Sequence, residues 1–186
     1  MRLRRRSLDC ARHPQPQLVW PVRVLAGAFG PGLPVRDLVL SPDHAIYCDT
    51  DAASDGRQIG VLIPVKYLIN GTTVRQEEVD RIDYYHVEMP HHDVLLAEGL
   101  TTESYLETAE RRSFDVEGQV VQLHPDFWSR AWEAKGCAEL VVTGERLDAV
   151  ARRLARYSGA ATDQVVKKMA EQPPCVTTQT GRGAVG

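Results

Sequence analysis

The sequence contains no long hydrophobic run, and this limits where the protein can reside. No segment of the 186 residues approaches the roughly 20 apolar residues that a membrane-spanning helix requires. The chain opens with a basic cluster made of Arg2, Arg4, Arg5 and Arg6. Ser7 and Asp9 then interrupt the apolar stretch of about seven residues that a signal peptide would need. We therefore expect a cytoplasmic protein with no signal peptide and no contact with a membrane.

Cysteine is scarce, and its spacing excludes the common zinc motifs. The four cysteines are Cys10, Cys48, Cys137 and Cys175, and no two of them form a C-x-x-C pair. A zinc knuckle is therefore not expected. An even number of cysteines permits disulfides, but a chain without a secretory signal favours free thiols.

Several catalytic signatures are also missing. The sequence has no G-x-S-x-G motif, so a serine hydrolase with a nucleophile elbow is not indicated. It has no H-E-x-x-H motif, which removes the best-known arrangement of zinc ligands on a helix. The net charge of −3 gives no reason to expect a nucleic-acid partner. The hydrophobic content of 43% fits one globular domain, with or without a tail.

The first hundred residues have the pattern of a mostly β domain. Short apolar and β-branched segments alternate with stretches rich in Gly and Pro or in acidic residues, and Asn70-Gly71 is a strong turn signal. Residues 26–36 and 49–60 are predicted to be loops. The predicted strands are residues 18–25, 37–40, 45–48, 61–69, 72–76, 82–89 and 93–97.

The last third of the chain changes character and predicts helix. Residues 144–157 place apolar side chains on one helical face, and Gly159 is a plausible stop. Residues 125–135 could form a second short helix, with Trp128 and Trp132 one turn apart. The final residues, 173–186, have the composition of a disordered tail.

Histidines supply the candidate chemistry, because imidazole gains and loses protons near neutral pH. His44 lies in S-P-D-H, which equally suits a surface turn, since proline and aspartate favour turns. His91 and His92 follow Pro90 and could sit at a loop tip; on a regular strand they would point to opposite faces. His124 precedes a proline, which suggests a loop or a helix entry.

Two interpretations of these histidines remain open from the residues alone. His44, His86 and His92 could supply three imidazoles to a metal in a metal-dependent hydrolase, although no fixed ligand spacing supports this. Alternatively, they could be structural residues of a non-catalytic β-rich interaction module. We expect no bound cofactor.

Three segments together resemble the Hint domain, the self-processing fold of inteins and hedgehog C-terminal regions, and especially bacterial Hint-domain proteins. They are P-V-R-V-L-A-G-A-F-G-P-G-L-P-V-R-D-L-V-L-S-P-D-H-A-I (residues 21–46), L-I-P-V-K-Y-L-I-N-G-T-T-V-R-Q (62–76) and Y-Y-H-V-E-M-P-H-H-D-V-L-L-A-E-G-L-T-T-E-S-Y (84–105). The resemblance implies a Hint-like β domain over residues 1–108. A helical extension over residues 109–172, with its helix at about 145–158, and the tail would follow.

The resemblance also implies a chemistry and assigns residues to it. Hint domains convert a backbone amide into a thioester or ester by an acyl shift, so the substrate would be a peptide bond of the chain itself. Ser41 and His44 match the family's Thr-x-x-His motif, whose histidine assists at the scissile amide; serine can replace threonine because both carry a hydroxyl. His92 matches a later family histidine. His86 lies near a further position that assists the shift in many inteins.

The sequence departs from the family pattern at both ends of the domain. Family members begin with a nucleophilic Cys or Ser, and Cys10 does not occupy that position, so the opening strands of the fold are expected to be missing. Inteins finish in His-Asn, whereas residues 100–104 read L-T-T-E-S, which leaves no Asn to cyclise. We therefore expect no protein splicing and no self-cleavage by this polypeptide alone. Missing strands would also leave an exposed sheet edge through which the protein could associate.

Overall fold

The computed structural model describes residues 1–49, 60–104 and 136–159. Their architecture is mostly β with one C-terminal α-helix, as predicted. The strands are β1 (Arg2–Asp9), β2 (Val22–Val24), β3 (Leu38–Leu40), β4 (Ala45–Asp49), β5 (Gly60–Pro64), β6 (Val74–Gln76), β7 (Arg81–Glu88), β8 (Val94–Ala97) and β9 (Leu100–Glu103). The helix is α1 (Glu145–Ser158).

The strands form three antiparallel sheets. One has two strands in the order β1-β7, one has three in the order β3-β2-β6, and one has four in the order β5-β4-β9-β8. In the four-stranded sheet, β4 pairs along its length with β5 and meets β9 at Ile46 and Thr102. This sheet positions two of the predicted site residues, because His44 immediately precedes β4 and His92 lies just before β8.

Strand β1 was not predicted from the sequence. Its arginines suggested only a basic start, yet all eight residues pair with β7, from Arg2 opposite Glu88 to Asp9 opposite Arg81. Two ion pairs cross this ladder: Arg4 meets Glu88 at 2.8 Å and Arg5 meets Asp83 at 2.7 Å. The acidic residues of β7 thus offset the positive charge of the β1 arginines, which had masked the strand pattern in the sequence.

Prolines shorten two of the predicted strands. The strand predicted at residues 18–25 exists only as Val22–Val24, because Pro16–Leu18 forms a 3₁₀ helix and Pro21 precedes the ladder. The strand predicted at residues 61–69 stops at Pro64, and Val65–Leu68 continues as a 3₁₀ helix. Proline has no N–H to donate to a ladder, so a strand ends or bends beside it.

The predicted Asn70-Gly71 turn is confirmed and has a clear cause. The Asn70 side-chain oxygen accepts hydrogen bonds from the backbone N–H groups of Thr72, at 2.9 Å, and Val74, at 3.0 Å. Gly71 has φ of +78°, which suits glycine. The turn leads directly into β6.

Helix α1 is part of the same core as the sheets. Val150 and Leu154 are buried in one apolar cluster with Val22, Ile46 and Ile63. The predicted helix is confirmed to within one residue at each end, and Gly159 ends it in the left-handed conformation with φ of +67°. None of the helices in the described ranges is long and apolar enough to cross a membrane.

The residues just before α1 line the edge of the four-stranded sheet. Leu62 of β5 donates its N–H to the Glu139 carbonyl and accepts the N–H of Val141, both at 2.8 Å, in a parallel bridge. The predicted helix at 125–135, His124, the 173–186 tail and most of the 49–60 loop lie outside the described residues.

Candidate functional site

The S-P-D-H segment forms a tight turn that leads into β4. The Ser41 carbonyl accepts the N–H of His44 at 2.9 Å, which closes the turn with Pro42 at its second position. The turn predicted from the residue types is therefore confirmed for the backbone. Ser41 and His44 are both half-buried, so the turn lies at the boundary between the core and the solvent.

This turn is anchored to the 3₁₀ helix that follows β5. The His44 carbonyl accepts the N–H of Val65 at 2.9 Å, and the Pro42 carbonyl accepts the N–H of Lys66 at 3.0 Å. The Lys66 ammonium also lies 2.6 Å from an Asp43 carboxylate oxygen. Backbone and side-chain contacts together fix the position of the His44 backbone.

Glu103, the last residue of β9, reaches the residue immediately after His44. Its side chain is 1% exposed, and its Oε1 accepts the backbone N–H of Ala45 at 2.9 Å. The contact follows from the sheet, because β4 and β9 are paired at Ile46 and Thr102. A buried carboxylate thus holds the first residue of β4.

His92 lies on the other side of the same carboxylate. Its side chain is 0% exposed, and its Nε2 lies 3.4 Å from Glu103 Oε2, at the long end of hydrogen-bonding distances. Its Nδ1 accepts the backbone N–H of Cys137 at 3.0 Å. His91, by contrast, is exposed, so the two neighbouring histidines do point to different environments, although both precede β8.

Ser104 and Asp93 bind each other across the end of the β8–β9 hairpin. The Ser104 hydroxyl accepts the N–H of Asp93 at 2.9 Å, and the Ser104 N–H donates to the Asp93 carbonyl at 2.7 Å. Ser104 is completely buried. This reciprocal pair fixes the backbone on both sides of the contact between His92 and Glu103.

The surroundings of the three cysteines in the described residues disfavour their thiolate forms. Although Cys137 lies at the surface, partial burial of its thiol raises the pKa, and the Asp93 and Glu103 carboxylates raise it further. Burial raises the pKa of Cys48 to about 12 and also raises that of Cys10. Each of these three free cysteines is therefore a poor nucleophile in the folded protein.

Glu103 connects three of the four predicted site residues. Ser41 and His44 form the turn, and Glu103 links the backbone next to His44 to the ring of His92. His86 instead lies on β7 in the two-stranded sheet, opposite Arg4. Within residues 1–49, 60–104 and 136–159, no three His, Cys, Asp or Glu side chains are grouped so that they could hold a metal.

Glu103 was not recognised as a site residue from the sequence. The available signal was its place in L-T-T-E-S, residues 100–104, the segment that the resemblance sets against the His-Asn end of inteins. Nothing in the sequence could have indicated the contact from the Cys137 backbone, because it joins residues 45 positions apart.

The family comparison agrees with this arrangement of sheets and loops. The family model described as the Hint domain matches residues 1–109, more than half of the chain. The protein therefore belongs to the Hint domain family. No curated protein and no solved structure matches the chain.

Proposed function

We propose that this protein is an autoprocessing Hint domain that assists an acyl shift at a peptide bond. The observation that carries the proposal is the buried Glu103 carboxylate, which contacts both His92 and the backbone of Ala45, directly after the S-P-D-H turn. Both segments match motifs that the family uses for this reaction. The fixed backbone on either side of His44 would give its imidazole a defined position at the scissile amide.

In this reaction the nucleophile S–H or O–H adds to the carbonyl carbon of the preceding peptide bond. The C–N bond then breaks, a thioester or ester forms, and the nucleophile's proton ends on the released amine nitrogen. The role of His44 would be to bind the scissile amide and protonate its nitrogen, a type of assistance that contributes typically about 10²–10⁴-fold in rate. The hydroxyl of Ser41 would bind nearby, as the hydroxyl of the family's Thr-x-x-His motif does.

We further propose that residues 1–186 do not process themselves. Cys10 does not match the family's nucleophile position, its side chain is buried, and its raised pKa disfavours the thiolate. The reaction would then need a segment that begins with Cys or Ser and completes the domain. The substrate would be the peptide bond in front of that residue.

The test is to fuse a reporter and a family-type opening segment, beginning with Cys, in front of Met1. Added dithiothreitol should release the reporter from this extended chain, whereas residues 1–186 alone should keep their intact mass. His44→Ala should slow the release by about 10²–10⁴-fold. Replacing the added Cys by Ala should abolish release. A folded extended chain that releases no reporter would contradict the proposed function. A new fragment from residues 1–186 alone would contradict the proposal that they do not process themselves.

One observation favours a second candidate, a non-catalytic interaction module on the same scaffold. The His92 ring is fully buried and both of its nitrogens contact protein groups, as expected for a structural histidine. The exposed Leu96 on the edge strand β8, with 77% of its surface accessible, would offer a contact point for a partner. The cleavage experiment separates the candidates, because the module predicts a folded but inert extended chain.

A further inference from the structure

The buried carboxylate of Glu103 has two acceptor oxygens, and each of them faces one hydrogen-bond donor. Oε1 accepts the N–H of Ala45 at 2.9 Å, and Oε2 lies 3.4 Å from the Nε2 of His92. The side chains of Glu103 and His92 are 1% and 0% exposed. Solvent therefore does not compete for these contacts, and their geometry is set by the protein.

The partners of His92 determine which ring nitrogen carries the proton. Nδ1 accepts the N–H of Cys137 at 3.0 Å, so Nδ1 must present a lone pair. A neutral imidazole has one N–H, which must then be on Nε2, pointing toward Glu103. Glu103 then accepts one hydrogen bond at each of its two carboxylate oxygens. The arrangement fixes both the tautomer of His92 and its ring orientation.

We propose that Glu103 is the positioning residue of this site: its carboxylate sets the Nε2–H tautomer of His92 and holds the backbone that follows His44. The inference rests on the proposed function for its catalytic consequence only, since the tautomer is a property of the folded chain. Glu103 touches no reacting group. It acts through Ala45 on the S-P-D-H turn and through the ring of His92.

Glutamine at this position provides a sharp test because it has the same shape as glutamate. The amide has one oxygen and one NH₂ group, so it can accept from Ala45 or from His92 but not from both. If its oxygen faces Ala45, its NH₂ faces Nε2 and requires the other tautomer, which conflicts with the Cys137 N–H at Nδ1. Glu103→Gln must therefore break one of three hydrogen bonds without changing side-chain volume.

The first measurement is ¹⁵N NMR of the histidine rings in the full 186-residue chain. In the wild-type protein, His92 Nδ1 should show the shift of an unprotonated ring nitrogen and Nε2 that of a protonated one. Glu103→Gln should change this pattern or the Ala45 amide resonance. Glu98→Gln is the matched control, since it removes a carboxylate that pairs with Arg36 and lies in the turn between β8 and β9. The control should leave both signals unchanged.

The second measurement is reporter release from the extended chain with each substitution. Glu103→Gln should slow release by about 100-fold, the scale of misplacing a catalytic group by about 1 Å, and Glu98→Gln should not. A wild-type His92 protonated on Nδ1 would overturn the proposal, even if Glu103→Gln failed to fold. Unchanged release and unchanged spectra in Glu103→Gln would also overturn it. If the wild-type extended chain releases nothing, the proposed function fails, while the spectra still decide the role of Glu103.

Discussion

Burial decides what the cysteine side chains of this protein can do. Cys10 and Cys48 lie in the interior, whereas Cys137 is at the surface beside two carboxylates. A thiol reacts through its thiolate, so a raised pKa lowers reactivity at a given pH, and reactivity increases as the pH rises toward that pKa. Burial at Cys48 thus combines two effects, because it blocks access and disfavours ionisation.

Alkylation of the folded protein at pH 8 should show that Cys48 reacts much more slowly than Cys137. With a pKa of about 12, Cys48 has about one thiolate in ten thousand at pH 8, so it should react only after unfolding. Cys137 should react in the folded protein, more slowly than a free cysteine and faster as the pH is raised to 10. Peptide mass mapping after iodoacetamide measures each site. Labelling of Cys48 as fast as Cys137 would show that the core opens readily.

Single residues could be predicted from the sequence only where a local pattern identified them. Ser41 and His44 stood out because four consecutive residues carry both a turn signal and a motif. Glu103 did not, since its importance depends on a strand pairing that brings it to Ala45, 58 positions away. The roles of Ser41, His44, His86 and His92 in catalysis remain predictions.

At the level of elements, periodicity worked best for α1 and least well for β1. The helix repeats apolar residues at helical spacing, so its bounds and its glycine stop could be predicted. Strand β1 carries arginines on both faces, which conceals the alternation that identifies a strand. Its pairing partner, β7, lies about 80 positions away in the sequence, so the sequence of β1 does not reveal it.

Helix α1 should contribute to the stability of the whole domain. Leu154 is 1% exposed and packs in the core that also contains Val22 and Ile46. Leu154→Ala should therefore lower the free energy of unfolding by about 2–5 kcal/mol. Arg152→Ala, on the exposed face of the same helix, should change it by less than about 0.5 kcal/mol.

Urea denaturation followed by circular dichroism and by tryptophan fluorescence provides the measurement. In the Leu154→Ala variant both signals should shift together to lower urea. If the helical circular-dichroism signal were lost at lower urea while the tryptophan fluorescence transition stayed unchanged, the result would contradict a shared core.

At the scale of the whole molecule, residues 136–159 contribute to the sheet edge, the candidate site and the core of the β domain. Residues 136–159 supply a hydrogen-bonded neighbour for β5, the Cys137 N–H at His92, and the apolar face of α1. The mostly β class could be predicted because turn signals and β-branched segments are local. The apolar face of α1 also indicated a helix that packs on the sheets, but the particular contacts that join the two parts could not be predicted, because they connect distant residues.

A chain that stops after residue 135 should not fold cooperatively, although it contains the whole family match. It loses the bridge at Leu62 and exposes the core side chains that Val150 and Leu154 cover. Size-exclusion chromatography should show association or an expanded species, and the urea transition should be broad. A monomeric fragment with the midpoint of the full chain would contradict this expectation.

The parallel bridge at Leu62 also has a consequence for synthesis. All five residues of β5 are buried, yet the segment that covers its outer edge is made about 80 residues later. At about 5–20 residues per second, a ribosome takes about 4–16 s to produce it. During that interval an apolar strand with open hydrogen-bonding groups is accessible to chaperones or to other nascent chains. The rate of translation between β5 and α1 should therefore affect the yield of folded protein.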